Sequence, residues 1–87
     1  MVVADAGRGD WILCQVTSNR YSDPRAIHLT LASFTSGSLR SESYARPGKL
    51  FTASVDLMVA QVAILNDGAR RQVLDAVIEI LRESDRR

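Results

Sequence analysis

Asp10-Trp-Ile-Leu-Cys-Gln-Val-Thr-Ser18 is the stretch on which the fold turns. Its alternation puts Trp11, Leu13 and Gln15 on one face of an extended chain and Ile12, Cys14 and Val16 on the other. Aromatic and β-branched residues of this kind suit a pleated, half-buried surface. Both faces carry apolar groups, so the segment reads as a central strand with cover on each side. It ends on two adjacent hydroxyls, Thr17 and Ser18, which lead into the polar loop Asn19-Arg-Tyr-Ser-Asp-Pro-Arg25. Hydroxyls, arginines and a ring meet at one strand end, and chemistry is expected there.

Upstream, Met1-Val-Val-Ala4 reads as the end of a strand that turns over Asp5 to Gly9 and pairs antiparallel with Trp11 to Val16, the two glycines supplying a permissive backbone. Downstream, Ala26 to Leu29 is a short strand entered through Pro24. Thr30 is placed to cap one helical turn over Leu31 to Phe34, and Thr35 to Ser38 reads as a turn. Tyr44 to Thr52 is extended but interrupted by Pro47-Gly48, which predicts an edge or a bulge. Val55 to Leu57 reads as a turn, and position favours a strand for the apolar run Met58 to Leu65. Asn66 or Asp67 is a good N-cap. Beyond it Val73, Leu74, Val77, Ile78 and Leu81 recur at helical spacing, with Arg70, Arg71, Asp75, Glu79, Arg82 and Glu83 on the opposite, wetted face. The helix is expected to fray from Ser84. Strands first and one helix last predict a mainly β single domain over residues 1–87, a small barrel or curled sheet closed by an amphipathic C-terminal helix.

An 87-residue chain buries only about 60 to 65% of its unfolded surface, so a partner subunit helps it. Hydrophobic residues make up 46% and charged ones 24% of the chain, the balance of a folded domain rather than a disordered one. Eleven basic and ten acidic residues leave a net charge of +1, which by itself selects no polyanion. Basic charge is instead concentrated locally, at Arg20, Arg25, Arg40, Arg46 and Lys49. The single cysteine, Cys14, allows no internal disulfide and no multi-cysteine metal site, and reads as a small buried apolar group. No run approaches the roughly 20 apolar residues of a membrane span, and the front of the chain has no secretion-type pattern. A cytoplasmic location without membrane contact is the expectation.

No glycine-rich phosphate loop is present, and one histidine, His28, builds no histidine metal site; it reads as a structural or surface residue. Asp75, Glu79 and Glu83 read as a solvated helix face. What remains is a set of hydroxyls and cations, Thr17, Ser18, Arg20, Tyr21, Arg25, Arg46 and Lys49. Arginine matches phosphate oxygens with a planar fork, hydroxyls add neutral donors and a tyrosine stacks on a base, so the set suits a phosphodiester. From composition alone such a set is more often just an ordinary polar loop.

These segments resemble the PemK/MazF family of toxins from type II toxin-antitoxin systems. The resemblance is carried by Asp10 to Ser18, Tyr21-Ser-Asp-Pro-Arg25, Gly37-Ser-Leu39 and Ser43-Tyr-Ala-Arg-Pro-Gly-Lys-Leu-Phe-Thr52, followed by an apolar strand and a helix like Arg71 to Leu81. It covers nearly the whole chain from Val2. It implies an SH3-like barrel, a homodimer, and an endoribonuclease (an mRNA interferase) that needs no metal or other cofactor and cuts single-stranded mRNA, the ribose 2′-hydroxyl attacking the adjacent phosphate. Thr17 matches the hydroxyl position at the end of the central strand, with Ser18 beside it, and these two are the implied catalytic residues. Arg46 and Lys49 match a strand lining the RNA groove, where the antitoxin's tail also binds. Arg20, Tyr21 and Arg25 join them as RNA-binding candidates. DNA is expected as a partner only through the antitoxin complex.

The chain departs from the family at its front, where members carry a Gly-Asp-containing strand, a loop and an Arg-Pro ahead of the run equivalent to Met1 to Ala4. That segment holds the arginine the resemblance makes catalytic. A smaller departure is Ala63, where glycine is usual. Two expectations follow. One is an open sheet edge that favours dimers, strand exchange or aggregation. The other is weak or absent cleavage, since one preorganised donor is worth about 100- to 1000-fold in rate. A non-catalytic remnant that keeps the RNA or antitoxin groove is one alternative, and a full enzyme whose true start lies upstream of Met1, with an in-frame Arg-Pro encoded there, is another.

Overall fold

In the computed structural model, which describes residues 1–19, 21–39, 42–57 and 63–85, the Asp10–Thr17 segment is an interior strand. Four strands form an antiparallel sheet in the order β1-β2-β5-β3: β1 (Val2–Gly7), β2 (Asp10–Thr17), β3 (Ile27–Leu29) and β5 (Ser43–Ser54). A second, two-stranded sheet pairs β4 (Phe34–Gly37) with β6 (Ala63–Leu65). The helix α1 (Asp67–Asp85) follows. The protein is therefore mainly β, a curled half-barrel sheet with a C-terminal helix.

The first hairpin is longer than the residue pattern suggests. β1 runs to Gly7 and the turn contracts to Arg8 and Gly9, at φ 57° and 80°. Two successive positive φ values mark the primed hairpin turn whose twist matches that of the flanking strands, and Gly9 carries it without strain. Thr30 precedes one helical turn, but the turn is Leu31–Ser33 and does not extend to Phe34. The segment after it does not turn: Phe34–Gly37 is β4, paired with β6. Thr35 Oγ1 donates to the Ile64 carbonyl at 3.3 Å, and the Asn66 amide donates to the Ser33 carbonyl at 2.8 Å. A partner strand distant in sequence thus overrides a turn-like composition. Of the strand expected over Met58 to Leu65, Ala63–Leu65 is a strand and residues 58–62 lie outside the described residues.

Pro47 and Gly48 make the anticipated bulge. Cys14 stands opposite Leu50 but the next residue, Gln15, stands opposite Arg46, so residues 47–49 are extra on β5. Gly48 lies under the helix, where an added Cβ would come within 3.7 Å of Ile80 Cδ1. Pro47 is fully buried.

Asn66 caps α1: its Oδ1 accepts the Ala69 amide at 2.8 Å while its Nδ2 donates to the Ala32 carbonyl at 2.6 Å. Ala69, Val73 and Val77 are the buried helix positions. Val73 joins Cys14, Ile27, Leu29 and Ala45 in the core, with Val3, Val16, Phe34, Leu65 and Ala76 packed around them. Helical geometry continues through Ser84 to Asp85, and the rest of the stretch expected to fray, residues 86–87, lies outside the described residues. Arg70 departs from the wetted-face reading. Its guanidinium donates to the Val2 and Val3 carbonyls at 2.9 and 2.7 Å and covers part of the outer edge of β1. Among the described residues no helix is long and apolar enough to cross a membrane.

Candidate nucleic-acid interface

Strand register determines which of the polar residues meet. Directly opposed residues in antiparallel strands share a face. Thr17 opposes Tyr44, and Tyr44 opposes His28, so these three form one row across β2, β5 and β3. The adjacent row holds Gln15 opposite Arg46. Residues of the other parity, Cys14, Ala45, Ile27 and Leu29, fill the core. The polar rows therefore lie on the outer face of the sheet.

The loop from Ser18 folds back over that face. Thr17 Oγ1 accepts the Asn19 amide at 3.2 Å, and Asn19 Oδ1 accepts the Tyr21 amide at 2.8 Å. These side-chain acceptors stand in for backbone turns. Tyr21 and Ser22 both take left-handed φ values, 54° and 57°. Such backbone costs about 1 to 3 kcal/mol per non-glycine residue and persists only where the surroundings hold it. Here Asp23 anchors the loop: its Oδ1 accepts the Arg25 amide at 2.9 Å and its carbonyl accepts the Ala26 amide at 3.1 Å.

Arg46 is the hub. Its Nε donates to Asp23 Oδ2 at 3.1 Å and its Nη1 to Gln15 Oε1 at 3.1 Å. Its guanidinium carbon lies 4.9 Å from the centre of the Tyr21 ring, within cation–π range. The Arg46 and Asp23 side chains are only 22% and 16% exposed, so the pair is largely withdrawn from water. The Asp23 carboxyl is held below the ordinary carboxylate range, first by the Arg25 amide and then by the Arg46 guanidinium, against the opposing effect of burial. Behind the site, Cys14 is fully buried with its Sγ 3.2 Å from the Arg46 carbonyl, and burial pushes its thiol up.

The fold treats the sequence candidates unequally. Thr17, Arg46 and Tyr21 come together on one face, and Ser18 is exposed at its rim. Arg25 turns away to pair with Glu83 on the helix, tying the loop to α1. Lys49 is exposed in the bulge, three residues beyond Arg46. Arg20 lies outside the described residues. Gln15, Asp23 and Tyr44 also belong to this face or its loop, although the residue pattern does not mark them as site residues. Gln15 shares the strand parity of Thr17, which was a legible signal. The roles of Asp23 and Tyr44 depend on pairings across long stretches of chain, for which the sequence offers no local cue. Among the described residues no group of His, Cys, Asp and Glu side chains is placed to hold a metal ion.

The face thus offers a hydroxyl, a guanidinium with further N–H donors and an exposed aromatic ring. Diagonal neighbours across a strand pair are about 7 to 8 Å apart, so Thr17 and Arg46 are spaced to reach different oxygens of one phosphodiester. A scan of the chain against protein-family models found no match, and a search among curated proteins found none either.

Proposed function

We propose that this chain is an endoribonuclease of the PemK/MazF toxin type, acting on single-stranded mRNA in the cytoplasm and restrained by a cognate antitoxin. The observation that carries the reading is the single sheet face on which Thr17, Arg46 and Tyr21 converge. In that reaction the ribose O2′ bonds to phosphorus as the P–O5′ bond breaks, leaving a cyclic phosphate on one fragment and a 5′-hydroxyl on the other. Negative charge grows on the non-bridging oxygens, and donors fixed beforehand at those oxygens lower the barrier. Thr17 Oγ1 donates to one, and the Arg46 N–H groups not used by Gln15 and Asp23 donate to another. Tyr21 stacks on a neighbouring base. A curled sheet with a terminal helix agrees with an SH3-like barrel. A homodimer is supported by the apolar row Val2, Leu13 and Phe51 on the same outer face, where Val2 and Phe51 are exposed, and by Ile78 and Leu81, exposed on α1.

One observation favours the binding remnant as a second reading. Arg46 is already answered by a carboxylate and an amide, so part of its charge is spent before any phosphate arrives. The two readings separate in one experiment, incubation of a long single-stranded RNA with the purified chain in EDTA. Cleavage that disappears in Thr17→Ala supports the enzyme. Binding without cleavage supports the remnant, and neither binding nor cleavage overturns both.

A further inference from the structure

The Thr17 row continues into an aromatic surface at its β3 end. The His28 ring stacks on Tyr44 with centroids 5.0 Å apart and planes inclined by 24°. His28 Nε2 lies 3.6 Å from the Glu42 carboxylate, and the two side chains are 43% and 76% exposed. Past them opens a groove of about 470 Å³, walled by Thr30, Leu31, Phe34 and Leu39 with His28 and Glu42 at its polar side. Its size falls within the range of about 300 to 1,000 Å³ typical of small-ligand clefts.

We propose that this groove takes one nucleobase of a single-stranded RNA, the base stacking on His28 and donating an amino hydrogen to Glu42. The inference rests on the RNA reading above and adds to it a specificity-determining subsite. Three features point to a base rather than a phosphate. The Glu42 carboxylate repels phosphate oxygens and accepts only from donors. The apolar wall of Leu31, Phe34 and Leu39 covers a ring face but offers nothing to an anion. The half-exposed His28 ring gives a stacking surface of the kind single-strand binders use. Position agrees as well, because His28 stands two strand spacings from Thr17, about 10 Å, close enough for a nucleotide flanking a phosphate held there.

A carboxylate acceptor distinguishes bases. Adenine, cytosine and guanine each present an amino group, whereas uracil flanks its N–H with two carbonyl oxygens that repel Glu42. Amino-bearing bases are therefore favoured over uracil.

The test is fluorescence polarisation with labelled oligoadenylate, oligocytidylate and oligouridylate at one fixed salt concentration. The wild-type chain is compared with His28→Ala, His28→Phe, Glu42→Gln and Tyr21→Ala, each checked by thermal melting. His28→Ala is expected to weaken the adenylate and cytidylate complexes by about 5- to 150-fold, the worth of one stacked base, and His28→Phe to restore them. Glu42→Gln is expected to erase the disfavour toward uridylate. If wild type binds RNA and Tyr21→Ala weakens it while His28→Ala and Glu42→Gln leave every affinity unchanged, the subsite is overturned and the RNA reading stands. If wild type binds none of the oligomers at millimolar concentration, the subsite falls together with that reading.

Discussion

Arg46 on β5 and Asp23 in the loop after β2 are joined by a 3.1 Å hydrogen-bonded ion pair, 23 residues apart in sequence. This contact holds the loop bearing Tyr21 against the sheet face and orients the guanidinium at the same time. Stability and site geometry are therefore coupled through one pair. Asp23→Asn is expected to cost about 2 kcal/mol, in the range for a hydrogen bond to a charged group, and to release Tyr21 from the guanidinium. A thermal melt together with the fluorescence anisotropy of Tyr21, measured in a background of Trp11→Phe and Tyr44→Phe, reads both effects.

The same carboxylate gives a pH dependence of defined sign. Its folded-state pKa is depressed, while an unfolded Asp titrates near about 3.9. Its stabilisation is fully present above the unfolded value and is lost as pH falls through the lower, folded value. Melting temperatures followed from pH 7 down to strong acid should show a loss beginning below about pH 4. Asp23→Asn should remove that part of the loss. An unchanged acid profile in the variant would assign the titration elsewhere.

Arg70 protects an edge. With its two hydrogen bonds to the Val2 and Val3 carbonyls, it places a charge along a strand that would otherwise offer a pairing template. Arg70→Ala is expected to destabilise by about 1 to 3 kcal/mol, the worth of hydrogen bonds to a charged donor. It should also promote concentration-dependent association, seen as a rise in mass by light scattering between dilute and concentrated samples. Arg70→Lys, which has no planar fork, should restore only part of the protection.

Cys14 reports on the core beneath the site. Fully buried and with its thiol shifted up, it should react with an aromatic disulfide reagent only through global opening. Labelling in native buffer is expected to be slow and to accelerate steeply across the denaturant midpoint. Fast labelling of the native protein would mean that the sheet opens locally at β2.

Asn66 ties the helical turn at Leu31–Ser33 to the start of α1 with two side-chain hydrogen bonds, one to the Ala32 carbonyl and one from the Ala69 amide. Asn66→Ala is expected to cost about 1 to 2 kcal/mol. Asn66→Asp keeps the acceptor for the Ala69 amide but loses the donor to Ala32, and should fall between the two in denaturant titration.

Much of the fold is written in local residue chemistry. The alternation in Asp10–Thr17 marks β2, the Pro47-Gly48 pair marks the bulge, and the spacing of Val73 and Val77 marks the buried side of α1. Each depends on neighbours within a turn or two of chain, where side-chain periodicity and backbone preference act directly. β4 was not legible, because Thr35, Ser36 and Gly37 favour a turn until β6 supplies hydrogen bonds that a turn cannot match. Arg70 likewise has the composition of a solvated helix position, and only the approach of β1 gives it acceptors.

The site divides along the same line. Thr17 at the end of an apolar strand, followed by a loop of cations and a ring, is visible in the order of the residues. Which cations reach that hydroxyl is set by cross-strand register. The three extra residues 47–49 on β5 bring Arg46 opposite Gln15, with Thr17 opposite Tyr44, and Glu83 on a distant helix draws Arg25 away. Residue types supply the chemistry that is available. Long-range pairing, which a one-residue slip would turn to the opposite face, selects the groups that share a surface.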